Sequence, residues 1–407
     1  MILAYKKNHL EALALRESLS DWVSAGVIDK ESAVTMVAKY PCPFYSPNFF
    51  IRIGLFIFGY VCVSAVFGIF FLVTNIGSSN SKNPFLASLM VFGFGAILVL
   101  EQLIRREKPF FGAGLEEAVL YSAVGSILSG VALWMEFSDG HHFQFSLLAA
   151  GVLTFTALRY IDRLLAAFAM AAGFYACFDL SLKSGTLGRN LLPFLMLAIS
   201  GIIIWTTGIG LKKPALRYWS PVWKAVRFLA LLTGYLSCNY LIVREISHAF
   251  LGMALAPGEN IPFASVFYGF TALLPPFYLA VGLFKKNRIF FHAGLVTFAM
   301  AIGTYKFYHR FIPLELGFSL AGVALIGVAW SLLKYFVTSK HGISVKPETY
   351  SAGGKNGAGV LKAESLVSLT GLGGKNAPGQ SPSEPSLPPS PSGSGGGFGG
   401  GGASGTF

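Results

Sequence analysis

The sequence predicts an all-α, polytopic transmembrane helix bundle, and three observations carry that reading. Of 407 residues, 54% are hydrophobic and only 12% are charged, roughly half the charged share of an ordinary soluble domain. The mean hydropathy is +0.61, as expected of helices that face lipid. The apolar residues are gathered into long runs separated by short polar stretches. A helix needs about 20 residues to cross the hydrocarbon core. Strands with open edges are excluded there, because lipid offers their backbone groups no partner.

Ten runs of that kind occur, at about 51–74, 84–104, 115–135, 143–161, 163–182, 191–211, 225–243, 263–284, 289–308 and 312–336. Only the turn around Asp162 divides the fourth from the fifth. The chain thus divides into a lead at 1–48, a transmembrane bundle at 49–338 and a tail at 339–407. The tail ends "SPSEPSLPPSPSGSGGGFGGGGASGTF". Its Pro, Gly and Ser content cannot bury enough apolar surface to fold, so it is expected to be disordered.

The net charge is +12. In a soluble chain that excess points toward nucleic acid, but here the basic residues sit between apolar runs and report topology instead. With the N-terminus in the cytoplasm, only Lys82, Lys183, Arg189, Arg244, Lys306 and Arg310 fall outside, out of 31 Lys and Arg. The positive-inside rule then places both termini in the cytoplasm and the protein in an inner or plasma membrane. The lipid bilayer is the expected partner and nucleic acid is not. The four cysteines, Cys42, Cys62, Cys177 and Cys238, are too scattered for a disulfide framework or a metal site.

Before the first run, Ala12, Leu15, Leu19, Trp22 and Val23 recur at helical spacing. Gly26 suits a helix end, and Asp29 suits the N-cap of a second helix with Glu31 in its first turn. That helix carries Val34, Val37 and Ala38 on one side, and Pro41, Pro43 and Pro47 forbid its continuation. Residues 8–40 therefore read as a helical hairpin whose face is Leu15, Leu19, Trp22, Val34 and Val37. It is too small to bury a core alone. It must pack on the bundle, the membrane surface, a copy of itself or a protein partner.

The stretch "LSDWVSAGVIDKESAVTMVAKYP", with Trp22, Gly26, Ile28 and Tyr40, resembles the cytoplasmic lead of the bacterial membrane proteins grouped as the DUF2157 family. The closing "FSLAGVALIGVAWSLLKYF" is similar to that family's Gly-rich last span. The resemblance implies a polytopic membrane fold. It implies no reaction, because the family's function is undefined.

Ionisable residues at membrane depth are costly and are therefore functional candidates. Glu116 and Glu117 open the third run. They read either as a proton- or cation-binding pair, since neighbouring carboxylates raise one another's pKa, or as acids placed at a helix N-terminus at headgroup level. Lys306, Arg310 and Glu315 lie at the outer junction of the last two runs. They read either as an outward anion or solute site with Glu315 as counter-ion, or as a hairpin whose basic chains snorkel outward. Asp179 is expected to pair with Lys183, four residues on, or with another span. Ala169, Gly173 and Cys177 form a small-residue face suited to close helix packing. Pro275 and Pro276 are expected to kink or break the eighth span, as in transporter sites.

Beside Asp139, the adjacent His141 and His142 cannot both easily chelate one ion without a third ligand from elsewhere. No H-E-x-x-H, G-x-S-x-G or P-loop pattern occurs, so neither cofactor nor catalytic set is indicated. The reading is a non-enzymatic integral membrane protein whose hairpin and tail meet a partner. The alternative is a small-solute transporter or permease with a site near spans eight to ten.

Overall fold

A computed structural model describes residues 3–24, 28–45, 47–75, 82–105, 109–135, 140–249 and 260–308, with a few positions between 319 and 334. Among them the regular elements are helical: α1 (Lys7–Ser24), α2 (Lys30–Lys39), α3 (Phe49–Asn75), α4 (Lys82–Ile104), α5 (Leu115–Trp134), α6 (His142–Tyr160), α7 (Arg163–Lys183), α8 (Gly185–Lys212), α9 (Ser220–Leu236), α10 (Tyr240–Ala249), α11 (Ala264–Phe284) and α12 (Arg288–Tyr308). A 3-10 turn, Pro214–Trp219, links α8 to α9. Seven helices (α3, α4, α5, α7, α8, α11 and α12) are long and apolar enough to cross a membrane, and the bent pair made by the turn with α9 and α10 is an eighth if counted as one span. By length and composition these helices are compatible with a helical membrane protein.

Successive long helices alternate in direction and pack as neighbours: α4 with α5, α6 with α7, α8 with α9, and α11 with α12. One end of the bundle, here called proximal, carries the N-terminal segment. The other end is distal. Two differences from the ten-run reading have physical causes. The fourth run does form a helix, α6, separated from α7 at Ile161–Asp162 as read. It is interrupted by Gln144, Ser146, Thr154, Thr156 and Arg159 and is not among the seven. The seventh run is not one straight helix but bends by 74° between α9 and α10. The tenth run lies almost wholly outside the described residues, and so does the tail.

The bend falls where sequence suggested none, while α11 runs through Pro275 and Pro276 as one element. At the bend, Asn239 caps α10: its Oδ1 accepts from Ile242 N at 3.3 Å. The Asn239 amide also donates to Tyr235 Oη at 2.9 Å and Thr304 Oγ1 at 2.8 Å. The freed Tyr240 N–H donates to Thr271 Oγ1 on α11 at 3.0 Å. The interruption is tolerated because Thr271 of α11 takes over a lost backbone bond, while Thr304 of α12 holds the capping Asn239 side chain.

Close helix approach occurs at other glycines than expected. A Cβ on Gly93 of α4 would stand 2.6 Å from Ile127 of α5. On Gly282 and Gly294 it would stand 2.6 Å and 2.8 Å from the backbone nitrogens of Phe291 and Leu279, tying α11 to α12. On the expected packing face, Ala169 is buried and Cys177 half-buried, but Gly173 has no atom within 4 Å of a Cβ position. Gly114, with φ +99°, lies against the Arg52 carbonyl, where a side chain would collide with backbone.

Two outcomes follow. Gly114→Ala should destabilise the purified protein by about 2–4 kcal/mol in a thermal or denaturant unfolding assay, because steric overlap adds to left-handed strain. Asn239→Ala should cost about 2–4 kcal/mol, since it removes a cap and strands the Tyr235 and Thr304 hydroxyls.

Candidate functional site

The densest set of ionisable side chains lies at the proximal end, beneath the N-terminal segment. It is built from the ends of α3 to α7. The start of α5 supplies Glu116 and Glu117. Glu117 pairs with Arg52 of α3 through both guanidinium nitrogens Nε and Nη2. Glu116 is only 4% exposed. Its Oε1 accepts from Ala113 N at 2.7 Å, an N-terminal capping contact, while its Oε2 is buried with no partner among the described residues.

Glu101, near the end of α4, accepts from Arg159 Nε at 2.8 Å and from Tyr160 Oη at 2.9 Å. Asp162 caps α7 through Leu165 N at 2.7 Å and accepts from Tyr121 Oη at 2.8 Å. Within this group four carboxylates (Glu101, Glu116, Glu117 and Asp162) face two guanidiniums (Arg52 and Arg159), an excess of two negative charges. Arg105 and Arg163 are exposed at its rim.

The roof is the chain before α1. Leu3, Tyr5, Leu10 and Phe44 are buried in the same core as α4 to α7. Tyr5 stacks edge-on against Phe44 and Phe111, at 5.8 and 5.0 Å between ring centres. Burial pushes the Tyr5 phenol well above its ordinary 10.0, and the charges on Glu116, Asp162 and Glu117 add to it. Its neutral form is thus favoured by folding. One bond closes the roof onto α6, Ala4 N donating to Arg159 O at 3.0 Å, and beside it Trp219 Nε1 of the α8–α9 turn donates to Leu158 O at 2.7 Å. From α1, Glu11 accepts from Arg217 at 2.5 Å and from Tyr218 Oη at 2.6 Å.

The expected residues fall as follows. Glu116 and Glu117 come together with partners from other helices. Asp179 pairs with Lys183 at 2.8 Å, as an ion pair rather than an aligned hydrogen bond. Lys306 ends α12 half-buried, whereas Arg310 and Glu315 lie outside the described residues. On the hairpin, Asp29 caps α2 through Ser32 N at 2.9 Å. Leu19 is 3% exposed, Leu15 and Val37 are intermediate, and Trp22 and Val34 are 42% and 60% exposed.

Sequence reasoning passed over Leu3, Tyr5, Glu101, Arg159 and Asn239. Glu101 in "LVLEQLI" and Arg159 in "ALRYID" each lie at the end of a run on the same side, a signal that could have paired them. Among the described residues no three His, Cys, Asp or Glu gather to hold a metal. No protein-family model, curated protein or solved structure matches the chain.

The Glu11 carboxyl is held below its ordinary 4.5 chiefly by the Tyr218 and Arg217 hydrogen bonds. Its contribution is therefore present above that value and lost as pH falls through the lower, folded one. Hydrogen exchange, corrected for intrinsic rates, should accelerate across α1 only under that acidification. In Arg217→Ala it should accelerate at neutral pH, with α4 to α7 unchanged.

Proposed function

We propose that the protein is a non-enzymatic permease that couples movement of a small solute to a proton or cation held at Glu116. The observation that carries this reading is the second Glu116 oxygen, buried without a partner inside a group with excess negative charge. A buried carboxylate in that state binds a proton or a cation more readily than one already paired. Arg52 satisfies Glu117 and leaves Glu116 as the group free to change occupancy. The N-terminal roof shields Glu116 from water, and displacement of Leu3, Tyr5 and Phe44 would open it. The site thus lies in the third span rather than in spans eight to ten. The wider frame of this proposal includes ten spans, cytoplasmic termini and membership of the DUF2157 family.

Full-length protein in liposomes containing a pH-sensitive dye tests the reading. A panel of small solutes is applied under an imposed pH gradient. At least one solute should move protons with wild type, and Glu116→Gln, still monodisperse and inserted, should slow that movement at least about tenfold. Equal rates for the two proteins would sink the role of Glu116.

The hairpin supports a second reading. Trp22, Val34, Met36 and Tyr40 are exposed large apolar side chains on α1 and α2. We propose that they form the partner-binding or self-association face within residues 8–40. Trp22→Ser with Val34→Ser is the suitable test, because removing the whole lead would also strip Leu3, Tyr5, Leu10 and Phe44 from the core. Loss of a partner that co-purifies with wild type supports this face. The same partner retained by the double variant refutes it.

A further inference from the structure

Arg227 lies seven residues into α9 from Ser220, about 10 Å along the axis. Its guanidinium stands over the Phe290 ring of α12, 5.1 Å from the centroid. On the α8 side it abuts Gly208, where a Cβ would come within 3.4 Å of Nη2. Its Nε is buried and meets no acceptor among the described residues. The ion pairs among those residues belong to Arg52, Arg159, Lys183 and Arg217. One turn earlier on α9, Trp223 packs its ring over Gly210, and its Nε1 is likewise buried without an acceptor.

An arginine does not shed its proton, and a lone charge at this depth is unfavourable. Two N–H donors, four residues apart on one helix, thus lack an acceptor among the described residues. The surroundings fix its sign. Residues 208–227 and 284–292 meet at the proximal end and contain eight Lys and Arg but no Asp or Glu. A planar guanidinium binds phosphate through two parallel hydrogen bonds. Basic pockets between helices at the membrane boundary suit anionic headgroups.

We propose that Arg227 and the Trp223 indole N–H form an oxyanion site between α8, α9 and α12 that holds the phosphate of an anionic phospholipid from the proximal leaflet. The site is independent of Glu116, which lies among α3 to α7.

Thermal unfolding of full-length protein in non-ionic detergent tests this, with added phosphatidylglycerol, phosphatidylcholine or inorganic phosphate. Phosphatidylglycerol should raise the midpoint by several degrees over phosphatidylcholine, as a ligand of the native state does. Arg227→Gln should lose that difference, Arg227→Lys should keep part of it, and Trp223→Phe should shrink it. If Arg227→Gln does not fold, the Lys and Phe variants carry the comparison. A shift given equally by inorganic phosphate, and lost in the same variants, supports the oxyanion site but overturns the lipid as its source. Equal shifts for the two lipids, or a phosphatidylglycerol shift unchanged in the variants, overturn the site.

Discussion

A backbone N–H or C=O that ends a helix in apolar surroundings must find a partner or cost several kcal/mol. Much of this molecule is arranged around that constraint. The last carbonyls of α6 are a clear case. Leu158 O receives the Trp219 indole and Arg159 O receives the Ala4 amide. One helix end therefore binds both the N-terminal segment and the α8–α9 connection. The segment is thereby part of the bundle rather than an appendage, and it draws Tyr5 and Phe44 over the proximal end. The same constraint governs the 74° bend, where Asn239 and Thr271 substitute for the missing helical bonds.

The two polar centres differ in how completely their hydrogen bonds are met. At the bend, Asn239, Tyr235 and Thr304 are neutral, buried and mutually bonded, and the buried Thr271 hydroxyl accepts from Tyr240 N and donates to Phe267 O. A network of that kind fixes geometry and leaves nothing to bind. The proximal group is charged and incompletely satisfied. An unmet buried carboxylate oxygen costs on the order of 1–3 kcal/mol or more. Such a cost is the usual mark of a site that changes occupancy. The distinction rests on hydrogen-bond accounting at Glu116, which is as deeply buried as the bend residues although Arg52 and Arg159 beside it are partly exposed.

Packing between helices is short-range and uneven. Gly93, Gly282 and Gly294 allow backbones to approach closely, which in lipid replaces much of the hydrophobic drive that water would supply. The long helix α3, by contrast, presents most of its surface outward, with Phe50, Phe58, Ile69 and Leu72 exposed. Those side chains suit contact with acyl chains. Arg227 is the counterpart in charge: it packs against Phe290 and Gly208, with its Nε buried and meeting no acceptor among the described residues.

Composition and periodicity by themselves determined the helical membrane class, most helix positions, the Asp162 turn, the Asp29 cap and the Asp179–Lys183 pair. Each of these depends on residues within one run or one turn, so local sequence is sufficient. Sequence also singled out Glu116 and Glu117, because charge next to an apolar run is visible without a fold. Only tertiary structure decided their difference, since Arg52 stands 65 positions from Glu117. It alone decided that the bend lies at Asn239 rather than at Pro275–Pro276, because the stabilising hydroxyls come from α11 and α12. It alone placed Leu3 and Tyr5 in the core and Trp22 outside it. Helical spacing shows which residues share a face, but what covers that face depends on which distant helix ends are left needing a partner.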